Sequence, residues 1–344
     1  ERINTKSDSS SIRERIEKCD KVLWDKHPEE KYRKPMFWKE HKFQITDFIN
    51  LTTYSRALKK EISLATYMQI PDEDKYPTPK AVLYMFHGMS AHMNTQAYIA
   101  TSFAKAGYLV VGYDYRGHGL SGGPRKDIES FDEVLEDSNK FILETENYLR
   151  KKYLKNDKDK SDSKSVEFIN NKFLFGISMG GLVSINLTKD HPQRFKGAIL
   201  FCPGVDIYGN SFVKFIGKLI SYCCPSKTLS LGNKKESIVA KNPYYFEFPD
   251  QLVFDQDMTL RSLAEIVTAT EKVKYQSAYE ASFIIVQGGV DKLVPAKSVF
   301  EFYEKAKSKD KEFLFYENMW HGITLEEEVH EILEKVVNWA KVRI

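Results

Sequence analysis

The stretch Phe173-Leu174-Phe175-Gly176-Ile177-Ser178-Met179-Gly180-Gly181 decides the fold. It begins with a short apolar run of the kind that forms a buried strand, and a helical pattern starts near Met179. Between the two lies the pattern G-x-S-x-G, in which glycines allow a sharp turn from strand to helix and leave the serine hydroxyl exposed. The N-terminus of the following helix favours negative charge beside that hydroxyl. Ser178 is therefore the candidate nucleophile.

Short β-rich runs separated by helical patterns lie on both sides of this stretch. Several, such as Tyr108-Leu109-Val110-Val111, are continuously apolar, which is typical of parallel strands buried on both faces. Helices between consecutive strands imply right-handed crossovers, so we expect an α/β fold with a mostly parallel eight-stranded sheet flanked by helices. The predicted strands are Phe43–Phe48, Leu64–Ile70, Ala81–His87, Tyr108–Asp114, Phe173–Ile177, Gly197–Cys202, Phe283–Gln287 and Glu312–Tyr316.

The pattern divides the chain into four segments. Residues 1–40 are polar and charged, with a helical stretch around Ile12 to Leu23, and predict a surface extension. Residues 41–205 and 281–344 form the two parts of the sheet-bearing core. Residues 206–280 show helical apolar stripes and no strand, so we expect an inserted helical cap over the sheet. Lys151–Lys164 predicts a solvated loop, and Thr324 with Glu327 predicts a capping box for the last helix.

Composition excludes several classes of protein. The 344 residues carry 51 Lys+Arg and 48 Asp+Glu, a formal net charge of +3, which argues against a nucleic-acid binder. The 42% of hydrophobic residues suffices for a large core, and no apolar run approaches the roughly 18 residues that span a bilayer. The 4 cysteines lack C-x-x-C spacing, so we expect free thiols, a reducing cytoplasmic location and no metal site.

A serine nucleophile needs a base and an acid that orients the base, in the chain order serine, acid, histidine. His321 follows the last predicted strand and is the candidate base, whereas His330 falls on the charged side of the last helix and His118 in a compact structural turn. Asp291, in the glycine-rich loop Gln287–Pro295, is the candidate acid. Asp206, after the preceding strand, is the alternative.

The oxyanion that forms on attack needs N–H donors in fixed positions. One donor is the backbone N–H of the residue after the nucleophile, Met179. The other is expected from the loop after the Ala81–His87 strand, which runs His87-Gly88-Met89 and makes the Met89 N–H the candidate. Because backbone donors tolerate any side chain, both Met side chains are free to line an acyl pocket.

Taken in order, the H-G-M loop, D-x-R-G-H-G-x-S, G-x-S-M-G-G, G-x-x-D-x-x-V-P and W-H-G resemble the α/β-hydrolase superfamily. The likeness is greatest to its monoacylglycerol lipase and lysophospholipase-like branch, and it runs from about Phe43 to Ala340. It implies the α/β-hydrolase fold with a helical cap, the triad Ser178, Asp291 and His321, and the two methionine oxyanion donors. Ala91 stands where monoacylglycerol lipases often carry an acidic residue. The resemblance therefore does not decide which head group the substrate carries.

These features predict a serine hydrolase that cleaves small-molecule acyl esters through an acyl-enzyme, with no metal or cofactor. A thioesterase or amidase would use the same triad. An aminopeptidase-like enzyme would need cap acids, such as Glu265 or Asp257, to hold the substrate amine. A non-catalytic binding protein of the same fold is the remaining alternative. The sequence leaves undecided whether the protein also contacts a membrane surface, as a lipid-handling enzyme would to reach its substrate.

Overall fold

The computed structural model describes residues 6–23, 40–125, 127–154, 163–209, 211–230, 238–242, 250–253, 257–274 and 279–344. The helices are α1 (Lys6–Val22), α2 (Ala97–Lys105), α3 (Phe131–Leu154), α4 (Met179–Lys189), α5 (Ser211–Cys223), α6 (Leu260–Lys274), α7 (Ala296–Lys305) and α8 (Val329–Lys341). The strands are β1 (Ile45–Thr46), β2 (Leu51–Ser55), β3 (Lys60–Leu64), β4 (Thr66–Gln69), β5 (Ala81–Phe86), β6 (Tyr108–Tyr113), β7 (Lys172–Ile177), β8 (Gly197–Phe201), β9 (Thr228–Ser230), β10 (Asp257–Thr259), β11 (Phe283–Val290) and β12 (Lys311–Trp320). Short 3₁₀ helices cover Met93–Gln96, Ser163–Ile169 and Ile323–Leu325.

The main sheet has eight strands in the order β1-β4-β6-β5-β7-β8-β11-β12. The six strands from β6 to β12 in this order are parallel, and β1 and β4 form an antiparallel edge. The predicted mostly parallel sheet is confirmed, and each of its strands falls within or overlaps a predicted run. β5 lies between β6 and β7, so the chain direction across the sheet reverses there, and ligands of such sheets bind at the carboxyl ends of strands near this reversal.

The core lies on both faces of the sheet, because side chains alternate along each strand. All six residues of β5 are buried. Val82, Tyr84 and Phe86 belong to one apolar cluster and Ala81, Leu83 and Met85 to the other. Helices α1, α3, α4 and α7 cover the first face, and α2 and α8 cover the second. This burial explains why the central strands are apolar without alternation in the sequence.

The prediction that residues 1–40 form a surface extension is wrong for the part that the structure describes. Ile12 and Ile16 of α1 are 2% and 1% exposed and belong to the main core cluster. They share one face of the helix with Cys19 and Leu23, at spacings of four, three and four residues. This apolar stripe was present in the sequence, but the polar composition around it masked it.

The segment between β8 and β11 is not purely helical. Helices α5 and α6 lie where the apolar stripes predicted them, but β9 and β10 pair as a short antiparallel ribbon. These strands are three residues each, too short for a periodicity to show. The hairpin of β2 and β3 was missed as well, and it forms a separate two-stranded sheet beside the main one.

Two local predictions need correction. The loop predicted over Lys151–Lys164 begins as the last turn of α3, which ends at Leu154, and residues 155–162 lie outside the described part. The capping box of Thr324 and Glu327 is wrong, because α8 begins at Val329 without a side-chain cap. Thr324 instead lies in a 3₁₀ turn that precedes the helix.

All four cysteines carry free thiols, as predicted. Among the described residues, no helix combines the length and the apolar character needed to cross a membrane.

Candidate active site

Ser178 lies at the sharp turn between β7 and α4, with a φ of 54° and a ψ of −117°. A non-glycine residue in this region is strained, and such strain persists only where the surroundings hold the backbone firmly. The Ser178 N–H donates to the Phe201 carbonyl at 2.9 Å, and the Ser178 carbonyl accepts from Leu182 at 3.1 Å and Gly204 at 2.8 Å. The side chain stays partly exposed at the carboxyl edge of the sheet.

The glycines around Ser178 are required by close contacts of the backbone. A Cβ on Gly176 would lie 2.2 Å from the Gly180 carbonyl oxygen, and one on Gly180 would lie 2.0 Å from the Phe86 carbonyl oxygen. A Cβ on Gly181 would lie 2.8 Å from Pro203. Helix α4 therefore packs so closely on β5, β7 and the loop after β8 that no side chain fits at these three positions. This close packing explains the glycines of the G-x-S-x-G-G pattern.

Asp291 and His321 are brought together by the pairing of β11 with β12. Val290 pairs with Trp320 at the ends of these strands, and the two candidate residues follow directly. His321 Nδ1 lies 2.7 Å from Asp291 Oδ2. Because a carboxylate can only accept, the proton sits on Nδ1, which leaves Nε2 as a proton acceptor. Both side chains are buried, at 1% exposure for Asp291 and 5% for His321.

Every oxygen of Asp291 has donors. Oδ1 accepts from the backbone N–H groups of Leu293 at 2.9 Å and Val294 at 2.8 Å. Oδ2 accepts from His321 and from Gln287 Nε2 at 3.2 Å. The carboxylate is thus held in one orientation, with one oxygen on its own loop and the other on the imidazole.

Sequence reasoning missed two side chains that contact Asp291. Gln287 is a fully buried polar residue in an otherwise apolar strand, and that contrast was a usable signal. Cys202 follows β8, is fully buried with a φ of 41°, and its thiol bonds to the Asp291 carboxylate. Burial, followed by the nearby negative charge of Asp291, raises the pKa of this thiol well above its usual range, so the thiol stays protonated and donates.

The alternative candidates are held in other contacts. Asp206 accepts from Lys214 Nζ at 2.7 Å and from Ser298 Oγ at 2.8 Å. His330 is exposed on α8 and bonds to the Tyr98 hydroxyl. His118 is fully buried, its Nδ1 lies 2.9 Å from the Arg116 carbonyl oxygen, and burial lowers its pKa to about 4. The geometry thus joins His321 to Asp291 rather than to the alternative acid.

The loop carrying Met89 lies against Ser178. A Cβ on Gly88 would come 3.5 Å from the Ser178 Cβ. His87 holds this loop, since its Nδ1 donates to the Gly88 carbonyl at 2.7 Å and its Nε2 accepts from the Tyr115 N–H at 3.1 Å. Burial lowers the pKa of His87 well below its usual value, so the ring is neutral, as this pair of bonds requires.

The two expected oxyanion donors are available on this side of Ser178. Met179 is the first residue of α4, and the first N–H of a helix has no acceptor within the helix. In the described part of the chain, the N–H groups of Met89 and Met179 donate to no protein oxygen. Helix α4 thus points its N-terminal end at the serine, where a developing oxyanion is stabilised.

The turn after β6 supports the same loop. Asp114 Oδ1 accepts from the Met93 N–H at 2.7 Å, and its Oδ2 accepts from the Leu120 N–H at 2.9 Å and the Tyr67 hydroxyl at 2.7 Å. A Cβ on Gly119, which has a φ of +48°, would collide with this carboxylate at 2.0 Å. The D-x-R-G-H-G-x-S motif is therefore a structural clamp, as its compact glycine-rich sequence predicted.

Within the described part of the chain, one group of side chains has the donor types that bind metal ions. The donor atoms of Cys202, Asp291 and His321 all lie within 4.8 Å of one another. The Asp291 oxygen that faces His321 already accepts the imidazole proton, and a metal ion would have to replace that contact. The contact between Asp291 and His321 has the geometry of an acid–base pair, and the catalytic role of these two residues stays a prediction.

Comparison with known proteins identifies the family. Residues 77–328 match the profile of Hydrolase_4, a family described as serine aminopeptidase, S33. The chain belongs to this family. As a member of it, the chain is a serine hydrolase.

Individual relatives agree with this membership. The chain is 26% identical to the monoglyceride lipase of Rattus norvegicus over 275 residues, which cover 78% of the chain and 84% of the relative. It is 24% identical to phospholipase YtpA of Bacillus subtilis, with 76% and 95% covered. A crystal structure of Paleococcus ferrophilus monoacylglycerol lipase superimposes with a TM-score of 0.67 at 21% identity, covering 82% of the chain and 99% of that protein. The predicted α/β-hydrolase fold and the likeness to the monoacylglycerol lipase branch are confirmed.

Proposed function

We propose that the protein hydrolyses carboxylic esters of lipid-like substrates, such as monoacylglycerols or lysophospholipids, through an acyl-enzyme on Ser178. The observation that carries this proposal is the 2.7 Å contact between His321 and Asp291 at the same sheet edge as the strained Ser178. A serine in such a turn, with an oriented imidazole and two backbone donors, provides the groups that acyl transfer requires.

In the first half of the reaction, His321 Nε2 takes the Ser178 proton as the Oγ attacks the ester carbonyl. The tetrahedral oxyanion is stabilised by the N–H groups of Met89 and Met179, and removing one such donor typically costs about 10²–10³ in rate. The protonated imidazole then gives its proton to the leaving alcohol. Asp291 keeps the imidazole oriented and stabilises its positive charge.

In the second half, water replaces the alcohol. His321 takes a proton from the water, which attacks the acyl carbon, and the carboxylic acid leaves as Ser178 regains its proton. Because the two backbone donors and the Asp291 contacts are fixed before substrate arrives, little reorganisation is needed in either half. None of the four proton transfers requires a group beyond these residues.

Ester substrates are favoured over the alternatives by two observations. The relatives carry the names monoglyceride lipase and phospholipase, both of them ester hydrolases. For the aminopeptidase alternative, Glu265 accepts the Phe131 N–H at 3.0 Å and so serves the contact between α6 and the start of α3. The side chain of Asp257, the other acid considered, lies outside the described part. A thioesterase would use the same groups, and a substrate panel of esters, thioesters and amides separates these cases.

The test of the proposal is Ser178→Ala, with Ser184→Ala as the matched control. Ser184 lies two turns along in α4, where its hydroxyl bonds to the Gly180 carbonyl. We expect Ser178→Ala to abolish turnover of p-nitrophenyl esters and labelling by a fluorophosphonate, while Ser184→Ala keeps both. A Ser178→Ala protein that retains the turnover and the labelling of the parent refutes the assignment.

Peripheral contact with a membrane, from the cytoplasmic side, is a further part of this proposal. Helix α5 exposes a row of large apolar side chains, with exposed fractions from 47% to 84%: Phe215, Leu219, Ile220 and Tyr222. Such a surface on the segment that precedes the second half of the core supports docking on lipid. Flotation with phosphatidylcholine liposomes tests it, and a protein that stays at the bottom of the gradient argues against it.

A further inference from the structure

Helix α1 lies outside the residues that match the family, yet it is packed on the strands that carry the proposed acid and base. It contacts α7, β11 and β12, and its buried Ile12 and Ile16 belong to the main core. Arg13 pairs with Glu304 of α7, and Arg15 pairs with Glu317 of β12. From Ile12 onward, the helix is therefore anchored to the second part of the core.

The end of α1 lies at an irregularity in the sheet. The register of β11 against β12 shifts between Gly288 and Val290, just before Asp291. A Cβ on Gly289 would come 2.9 Å from Cys19 Sγ, so α1 approaches this bulge closely. The Cys19 thiol also lies 3.7 Å from the Glu317 carbonyl oxygen of β12. Bulges next to active sites commonly set the direction of the side chains that follow.

Leu23 completes this contact. It is 2% exposed and forms a small apolar cluster with Val290 and Trp320, which are 5% and 3% exposed. Val290 immediately precedes Asp291, and Trp320 immediately precedes His321. The cluster is separate from the two main cores, and the half-buried Tyr208 packs against it. Leu23 is thus a buried side chain of the N-terminal segment that packs at the two strand ends.

We propose that Leu23, at the end of α1, is a positioning residue that holds Asp291 and His321 at their bonding distance. This inference rests on the proposed function, because positioning matters only if the pair acts in the reaction. The apolar neighbours of Leu23 are the residues that directly precede the two reacting groups. Leu23 fixes the two backbones from which they project, and an active-site displacement of about 1 Å can lower the rate about 10²-fold.

The test compares Leu23→Ala with Leu149→Ala in the full chain. Leu149 is a fully buried leucine of α3, so the control removes the same atoms from the core at a distance from β11 and β12. We expect Leu23→Ala to lower kcat for a p-nitrophenyl ester at least about tenfold with KM within about twofold, and to slow fluorophosphonate labelling equally. Leu149→Ala is expected to lower Tm but keep kcat. Leu23→Met, which refills the space, is expected to restore kcat.

A spectroscopic readout separates positioning from general stability. The proton shared by His321 and Asp291 gives a downfield ¹H resonance, which we expect to broaden or disappear in Leu23→Ala and to persist in Leu149→Ala. If Leu23→Ala does not fold, Leu23→Val removes a single methylene and is expected to show the same effects in smaller measure.

The outcomes distinguish this inference from the proposed function. If Leu23→Ala keeps the kcat and the resonance of the parent, or if Leu149→Ala loses both equally, the positioning role is refuted while Ser178 chemistry stands. If the parent protein shows neither turnover nor labelling, the proposed function fails. In that case the downfield resonance alone still decides whether Leu23 holds the pair.

Discussion

The substitution Asp291→Asn is expected to lower kcat strongly, because the structure fixes which way the new amide must point. Oδ1 of Asp291 accepts two backbone N–H groups, from Leu293 and Val294, so this position can be filled only by an oxygen. In the variant the amide oxygen must therefore stay there, and the NH₂ group must take the place of Oδ2 beside His321. The amide cannot escape by flipping, because flipping would set its donors against two backbone donors.

The NH₂ group then faces His321 Nδ1, which lies 2.7 Å away in the parent and is itself a donor. The imidazole relieves this conflict by moving its proton to Nε2, and Nε2 can no longer accept the serine proton. In serine proteases the same exchange lowers kcat about 10⁴-fold, which corresponds to about 5 kcal/mol. Gln287 Nε2, which donates to Oδ2 in the parent, also meets the new NH₂ group. Its amide can turn to present Oε1, which has no partner in the parent, but it then loses the Nε2 bond to the Gly288 carbonyl. The stability loss is accordingly limited to about 1–3 kcal/mol.

The assay is steady-state hydrolysis of a p-nitrophenyl ester, with urea unfolding to confirm the fold. Asp206→Asn is the matched control, since Asp206 is a buried aspartate that bonds to Lys214 and Ser298. We expect its kcat to stay within about threefold of the parent. An Asp291→Asn protein with kcat within about tenfold of the parent, or a large loss in Asp206→Asn instead, would refute the orientation argument.

Three further predictions concern groups outside the proposed triad. Burial lowers the pKa of His118 to about 4, so the unfolded chain binds a proton more readily than the folded protein, and the free energy of unfolding should fall by about 2 kcal/mol from pH 7 to pH 5. Urea unfolding of His118→Asn should show a weaker dependence of this free energy on pH, and a dependence equal to that of the parent would contradict the prediction. Gly180→Ala should lower the free energy of unfolding by about 3 kcal/mol or more, because its Cβ would lie 2.0 Å from a carbonyl oxygen. Gly217→Ala in α5, which has open space around it, should raise this free energy by about 0.5–1 kcal/mol, and equal losses of the two variants in urea unfolding would refute the packing argument. Iodoacetamide should modify the exposed Cys223 in the native protein and the buried Cys202 only after unfolding, which peptide mass spectrometry would detect. Modification of Cys202 in the native protein as fast as that of Cys223 would contradict its burial.

The sequence by itself determined the elements whose signals are local. The apolar runs fall in the eight strands of the main sheet, because a strand buried on both faces must be apolar throughout. The glycines around Ser178 marked the strained turn, because only glycine tolerates the contacts that such a turn creates. The candidate acid and base could be named from chain order, since each follows a strand at the carboxyl edge of the sheet.

Tertiary structure decided what depends on residues far apart in the chain. Nothing local shows that Cys202 bonds to the proposed acid, because this contact arises only when β8 and β11 pair. The polar composition of α1 hid the apolar stripe that ends at Leu23, and only the tertiary structure shows that this stripe packs against β11 and β12. Short strands such as β9 and β10 carry too few residues for a periodic signal, so their pairing is set by the elements around them.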